Sequence, residues 1–104
     1  MLGSPLNMAP EILGGKEYTN KADIWSIGVC FYEMLFGKNP YTAKNIVELL
    51  KKIKSNPFTI PDSVGLHPDV KDVLTKMLVF DPNQRISWEN LFNHPVTKIS
   101  ERRI

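Results

Sequence analysis

The chain has 104 residues, 42% of them hydrophobic and 23% charged, with thirteen Lys or Arg against eleven Asp or Glu and a formal net charge of +2; the apolar fraction excludes intrinsic disorder, and the evenly mixed charges exclude a polyanion-binding tail, so nucleic acid is not expected as a partner. A single cysteine, Cys30, permits no intrachain disulfide, and His67 and His94 are too isolated from it to form a zinc site, which favours a reducing compartment. The most apolar stretch, Ile24 to Phe36, is shorter than the roughly 20 residues a spanning helix needs, and Met1 to Pro5 has no signal-peptide character, so the expectation is a cytoplasmic or nuclear protein with no membrane partner.

The segments between the prolines and glycines show helical rather than alternating periodicity, so the chain is expected to be mainly α with almost no strand. Residues 1–10 read as irregular, because Pro5 and Pro10 fix their own φ and push Ser4 and Ala9 toward extended backbone. A turn of helix over Glu11 to Leu13 follows, stopped by Gly14-Gly15.

Asn20 then caps a helix over Lys21 to Phe36, with Asp23 at the third helical position where its carboxylate reaches back to the cap, and Gly37 ends it. The apolar residues of this helix, from Ile24 and Trp25 to Met34, Leu35 and Phe36, surround the cylinder, which predicts burial on every side. A domain of this size hides only about 60–70% of the surface its unfolded chain exposes, so any apolar face left without a partner weighs heavily. Thr42 or Asn45 opens an amphipathic helix whose apolar face is Ile46, Leu49, Leu50 and Ile53 and whose other face carries Lys44, Glu48, Lys51, Lys52 and Lys54. Those lysines read as a solvated face over a buried stripe rather than as a membrane-surface or calmodulin-type helix.

After a loop from Pro57 to Pro61, Pro68 occupies the first position of a further helix, with Asp69 at its positive end and Val70, Val73, Leu74, Met77 and Leu78 facing inward. That helix ends before Asp81-Pro82. Ser87 caps a last short helix carrying Trp88, Leu91 and Phe92, closed by His94-Pro95.

The order of these signals resembles the carboxyl-terminal part of a eukaryotic protein kinase domain of the serine/threonine type. Gly3 to Glu11 looks like the end of an activation segment, with Ala9-Pro10-Glu11 as the A-P-E element. Lys21-Ala22-Asp23-Ile24-Trp25-Ser26-Ile27-Gly28-Val29 is similar to the start of the family's buried central helix, and Pro40-Tyr41 to the turn that follows it. Asp81-Pro82-Asn83-Gln84-Arg85 is similar to the D-P-x-x-R loop, and His94-Pro95 to the closing His-Pro. The resemblance covers about Gly3 to Val96. It implies a partial kinase domain over residues 1–97, followed by a basic tail over 98–104 expected to be disordered, and an incomplete, helical C-lobe subdomain of the kinase-like fold.

By the same resemblance Gly3, Ser4, Pro5 and Leu6 form the substrate-binding loop, Ser4 being the small hydroxyl of serine/threonine enzymes. Glu11 pairs with Arg85 inside the lobe, a task for which a planar guanidinium suits better than an ammonium. Asp23 accepts from the backbone of the catalytic loop, or serves only as a helix-capping carboxylate, and Trp25 belongs to the structural set. Asn7 departs from the pattern, since many relatives carry an aromatic residue there.

Phosphoryl transfer by this family also needs a glycine-rich loop, a strand lysine paired with a helix glutamate, a catalytic-loop aspartate and asparagine, and the D-F-G aspartate. None of these motifs occurs in the 104 residues, so no catalytic, cofactor-binding or metal residue is assigned. The resemblance implies that the nucleotide-binding part lies upstream of Met1. The complete form is then expected to use ATP and Mg2+ to phosphorylate Ser or Thr of protein substrates, and the isolated chain to be inactive and prone to non-specific self-association. The alternative is a standalone interaction module or inactive kinase remnant, offering the third helix and its neighbouring loops as a docking surface.

Overall fold

The computed structural model describes residues 5–55, 60 and 65–98. Among the described residues, five α-helices follow in order: α1 (Pro10–Leu13), α2 (Asn20–Phe36), α3 (Ile46–Ser55), α4 (Pro68–Met77) and α5 (Trp88–Phe92), with 3-10 turns at Pro5–Asn7 and Pro95–Lys98. Among the described residues there is no strand, in keeping with the helical reading. Much of the expected Pro57 to Pro61 loop, Gly3 and Ser4 of the expected substrate loop, and the tail from 99 onward lie outside the described residues.

The central pillar is α2. Ala22, Trp25, Val29 and Tyr32 pack with Tyr41, Leu49, Ile53, Leu74 and Leu78. Ile24 joins a second cluster with Val73 and Met77 of α4. The close approach of α4 requires glycine at position 28, where a Cβ would stand 3.1 Å from Met77 Cβ and 3.1 Å from Leu78 Cδ2.

Three details of α2 differ from the sequence reading. Its cap position is Thr19, in extended backbone and without a side-chain cap, while Asn20 is already helical. The Asp23 carboxylate does not fold back on the helix start, because it accepts instead from the Tyr18 hydroxyl. Nor is the helix buried all round: Ile27 is 39% and Met34 83% exposed, since the other helices cover only the opposite sides. At the far end Gly37 takes φ 73°, the left-handed stop that glycine reaches without strain, and its N–H returns to Glu33 O.

The remaining helices carry the local signals expected of them, with one addition. Asn45, not Thr42, opens α3, its Oδ1 accepting from Glu48 N at 2.8 Å. Leu49 and Ile53 of that helix are buried, but Ile46 stays exposed because the first turn projects past the core edge. Pro68 starts α4, and the cap is His67, whose Nδ1 accepts from Asp69 N at 3.0 Å. Ser87 Oγ caps α5 by accepting from Asn90 N at 3.1 Å.

Candidate functional site: the loop before α1 and its anchor

Pro5–Asn7 forms one turn of 3-10 helix that lies against α2, and Pro10 follows as the first residue of α1. The chain between these prolines has little regular hydrogen bonding of its own, so its position must come from side chains. Its strongest tether is Glu11, which meets Arg85 across 74 residues of sequence. Arg85 Nη1 donates to Glu11 Oε2 at 2.8 Å and Nη2 to Oε1 at 2.9 Å, the parallel two-bond geometry that only a guanidinium gives.

The guanidinium is fully enclosed, yet its donors are satisfied. Nε donates to Val79 O at 3.0 Å, Nη1 also to Lys21 O at 2.8 Å, and Nη2 to Phe80 O at 3.2 Å. Trp25 lies over it, 5.3 Å from Arg85 Cζ to the ring centroid, and Tyr41 stacks on the indole at 6.4 Å. Lys21 closes the same knot from the helix side, donating to Pro82 O at 2.9 Å and Arg85 O at 2.8 Å. The D-P-N-Q-R loop is shaped for this task, because Asp81 O accepts from both Gln84 N and Arg85 N at 3.0 Å.

The expected sites thus fare differently. Glu11, Arg85 and Trp25 come together in one buried cluster. Asp23 sits on another side of α2, partly exposed and bonded to Tyr18. Pro5 and Leu6 line a cleft of about 200 Å³ against Ala43, Ile46 and Leu49 of the following segment. The substrate-loop residues Gly3 and Ser4 lie outside the described residues.

Sequence reasoning missed the polar ties around this core. Ser26 Oγ donates to Asn7 O at 2.6 Å, and Asn39 Nδ2 to Asn7 Oδ1 at 3.3 Å. His94, read only as part of a closing dipeptide, is buried and bonded through Nε2 to Asp72 Oδ2 at 2.6 Å, while its Nδ1 accepts from Val96 N at 3.0 Å. Those two bonds assign the ring proton to Nε2 and pin the chain after α5 to α4.

Burial alone would push the Glu11 carboxyl up, but the Arg85 hydrogen bonds, its own backbone N–H and the charges of Arg85 and Lys16 outweigh it and hold the group below the ordinary 4.5. Asp72 is held below the ordinary 3.8 by the hydrogen bonds from His94 and Lys76. Both groups therefore take up a proton less readily in the folded chain than in the unfolded one. Their stabilisation is present in full above the unfolded values and disappears as pH falls through the lower folded ones. The urea midpoint is expected to hold steady near neutrality and to drop below about pH 4.5, and Glu11→Gln is expected to flatten that acid limb; urea titrations at successive pH values measure both.

Among the described residues no group of three or more His, Cys, Asp or Glu side chains comes together as metal ligands would. What the described residues build here is a positioned loop on a rigid anchor. No helix of the described residues is long and apolar enough to cross a membrane.

A family model described as "Protein kinase domain" matches residues 1–97. The chain is 44% identical over 98 residues to the serine/threonine-protein kinase ATG1 of Saccharomyces cerevisiae, covering 92% of this chain and 11% of that protein. It is 48% identical over 99 residues to the serine/threonine-protein kinase apg-1 of Neurospora crassa, covering 92% and 10%. With the atg1 kinase of Dictyostelium discoideum the figures are 42% over 92 residues, 88% and 14%. Among solved structures, the twitchin kinase region from C. elegans superposes with a TM-score of 0.78 at 35% identity, covering 91% of this chain and 17% of that one. The chain thus spans only about a tenth of the length of these curated relatives. With that model matching residues 1–97 and relatives 42–48% identical over about nine-tenths of the chain, the chain belongs to the protein kinase domain family, as part of its carboxyl-terminal, helical portion.

Proposed function

We propose that this chain is the substrate-loop and scaffold portion of a serine/threonine protein kinase which, in complete form, transfers the γ-phosphate of ATP to Ser or Thr hydroxyls of protein substrates with Mg2+. The observation that carries this reading is the enclosed two-bond pair between Glu11 and Arg85, which fixes the loop ahead of α1 on the central helix. Peptide recognition in phosphoryl transfer is chiefly a matter of such positioning. The relatives are described as serine/threonine-protein kinases, which supports the hydroxyl class of substrate. The chemistry itself belongs to the glycine-rich loop, lysine and aspartates that the 104 residues lack, so the partner of first importance is the upstream part of the kinase domain, and the site of action is the cytoplasm or nucleus.

Two measurements test the reading. The 104-residue chain is expected to show no saturable binding of Mg-ATP by calorimetry. Joined to an upstream kinase segment containing the nucleotide site, it is expected to phosphorylate a generic Ser/Thr peptide. Failure of the completed domain to transfer phosphate would favour the second reading, a standalone module or inactive remnant. One observation favours that alternative: Ile46 and Val47 of α3 are 47% and 72% exposed beside Lys51 and Lys54, an apolar and basic surface suited to docking.

A further inference from the structure

A cleft of about 590 Å³ opens between α2, α3 and α4, and no residue of the loop before α1 lines it. Its walls are the rings of Trp25 and Tyr41, the side chains of Ile53 and Leu78, and Phe80 beyond the end of α4. The first four are buried. Phe80 is 43% exposed, an apolar lip that the described residues leave in water.

The charge in the cleft is of one sign. Lys54 of α3 and Lys71 of α4 line it, no Asp or Glu does, and neither ammonium pairs with a carboxylate among the described residues. The hydroxyl of Thr75 is already engaged, donating to Lys71 O at 2.8 Å. Trp25 contributes one more donor to the lining residues. Among the described residues its buried indole N–H finds no acceptor, an unusual state for a group that can only donate.

Apolar walls beside unpaired cations select an amphiphilic anion. Its hydrocarbon gains by leaving water against Trp25, Tyr41 and Leu78, and its carboxylate gains from ammonium groups that repel a cation. The volume falls within the range of about 300–1,000 Å³ usual for small-molecule sites. We infer that this cleft binds a free apolar monocarboxylate of about decanoate size, its hydrocarbon against Trp25 and Tyr41 and its charge matched by Lys54 and Lys71. The site is separate from phosphoryl transfer, yet it touches the anchor, because the Trp25 ring also lies over Arg85.

Decanoate is the probe, with decanol as its uncharged counterpart. In the isotope-labelled 104-residue chain, decanoate is expected to move the Trp25 indole N–H resonance saturably and to leave that of Trp88 in place. Trp88 is the internal control, since it lies outside the cleft and its Nε1 already donates to Asn20 O. Decanol is expected to bind more weakly, and added salt to narrow the gap. Lys54→Gln with Lys71→Gln is expected to weaken decanoate about fivefold, as two solvent-facing ion pairs would, and to leave decanol unchanged. Neither lysine ammonium has a carboxylate partner to lose, so this variant keeps its fold, read as an unmoved Trp88 resonance. Ile27→Lys with Met34→Glu, which removes exposed apolar side chains of α2, is expected to respond as the wild type does. Equal shifts of both indoles, or loss of the response in the α2 variant, would place binding elsewhere and overturn the site. Decanol binding as tightly as decanoate, or decanoate binding unchanged in the lysine variant, would overturn the anionic class. No saturable Trp25 shift below the concentration at which decanoate forms micelles would overturn the proposal as a whole.

Discussion

Arg85→Ala is expected to be the most damaging single substitution in the chain, a loss on the order of 3–5 kcal/mol, because it leaves the Glu11 carboxylate buried without its cation. The Glu11 side chain is only 5% exposed, and the same substitution also strips a donor from Lys21 O, Val79 O and Phe80 O. Glu11→Ala should cost less. The guanidinium it abandons keeps those three carbonyls and the face of Trp25, so part of its charge remains solvated by the protein. The pair is thus asymmetric: the arginine organises the loop around Asp81–Arg85, and the glutamate reads it out to α1. Removing both should cost less than the sum, because the second deletion removes the orphan left by the first. Urea denaturation of the four members of the cycle measures the coupling. Additive losses would show that the contact contributes no energy of its own. Against a total stability of about 5–15 kcal/mol for a domain, a loss of this size leaves little of the folded population in reserve. Arg85→Lys is no rescue, since an ammonium cannot span both carboxylate oxygens and two carbonyl directions together.

Much of this arrangement was legible in the sequence, for identifiable reasons. Helix ends announced themselves through Pro68, Asn45, Ser87 and Gly37, whose preferences depend on local backbone alone, whereas Pro10, read as part of an irregular entry, is the first residue of α1. The Glu11–Arg85 pair spans 74 residues, and no local rule links them; it was legible only through the resemblance. Asn39 was illegible because an asparagine before a proline looks like any turn residue, and its bond to Asn7 requires knowing where α2 ends relative to a loop far upstream. His67 and His94 share this difficulty. Each uses Nδ1 as an acceptor for a backbone N–H two residues on, a role that spacing cannot distinguish from that of a solvated imidazole. Ile46 shows the reverse error: it has the right period for the buried face of α3, but its turn lies beyond the edge of the core.

The unburied side of α2 carries the last prediction. Tyr18, Asp23, Ile27 and Met34 all stand at least partly in solvent, and Met34 is 83% exposed near the end of a helix whose opposite sides are closely packed. Cys30 and Phe31 between them are half-buried. An isolated exposed methionine is ordinary, but Ile27 and Met34 lie two turns apart on one helix face with Cys30 between, and a contiguous strip of this kind drives association. The 104-residue chain is therefore expected to bind a hydrophobic dye and to sediment as concentration-dependent dimers or larger species. Ile27→Lys with Met34→Glu is expected to abolish both effects while moving the urea midpoint little, because neither side chain belongs to either buried cluster. An upstream kinase segment that covers the strip should act oppositely on stability. It should suppress dye binding and also raise the midpoint, since burying a methionine or isoleucine side chain contributes about 1.5–3 kcal/mol each. A wild-type chain that stays monomeric at high concentration and binds no dye would show that the strip is closed in solution, and with it the case for an uncovered helix face would fall.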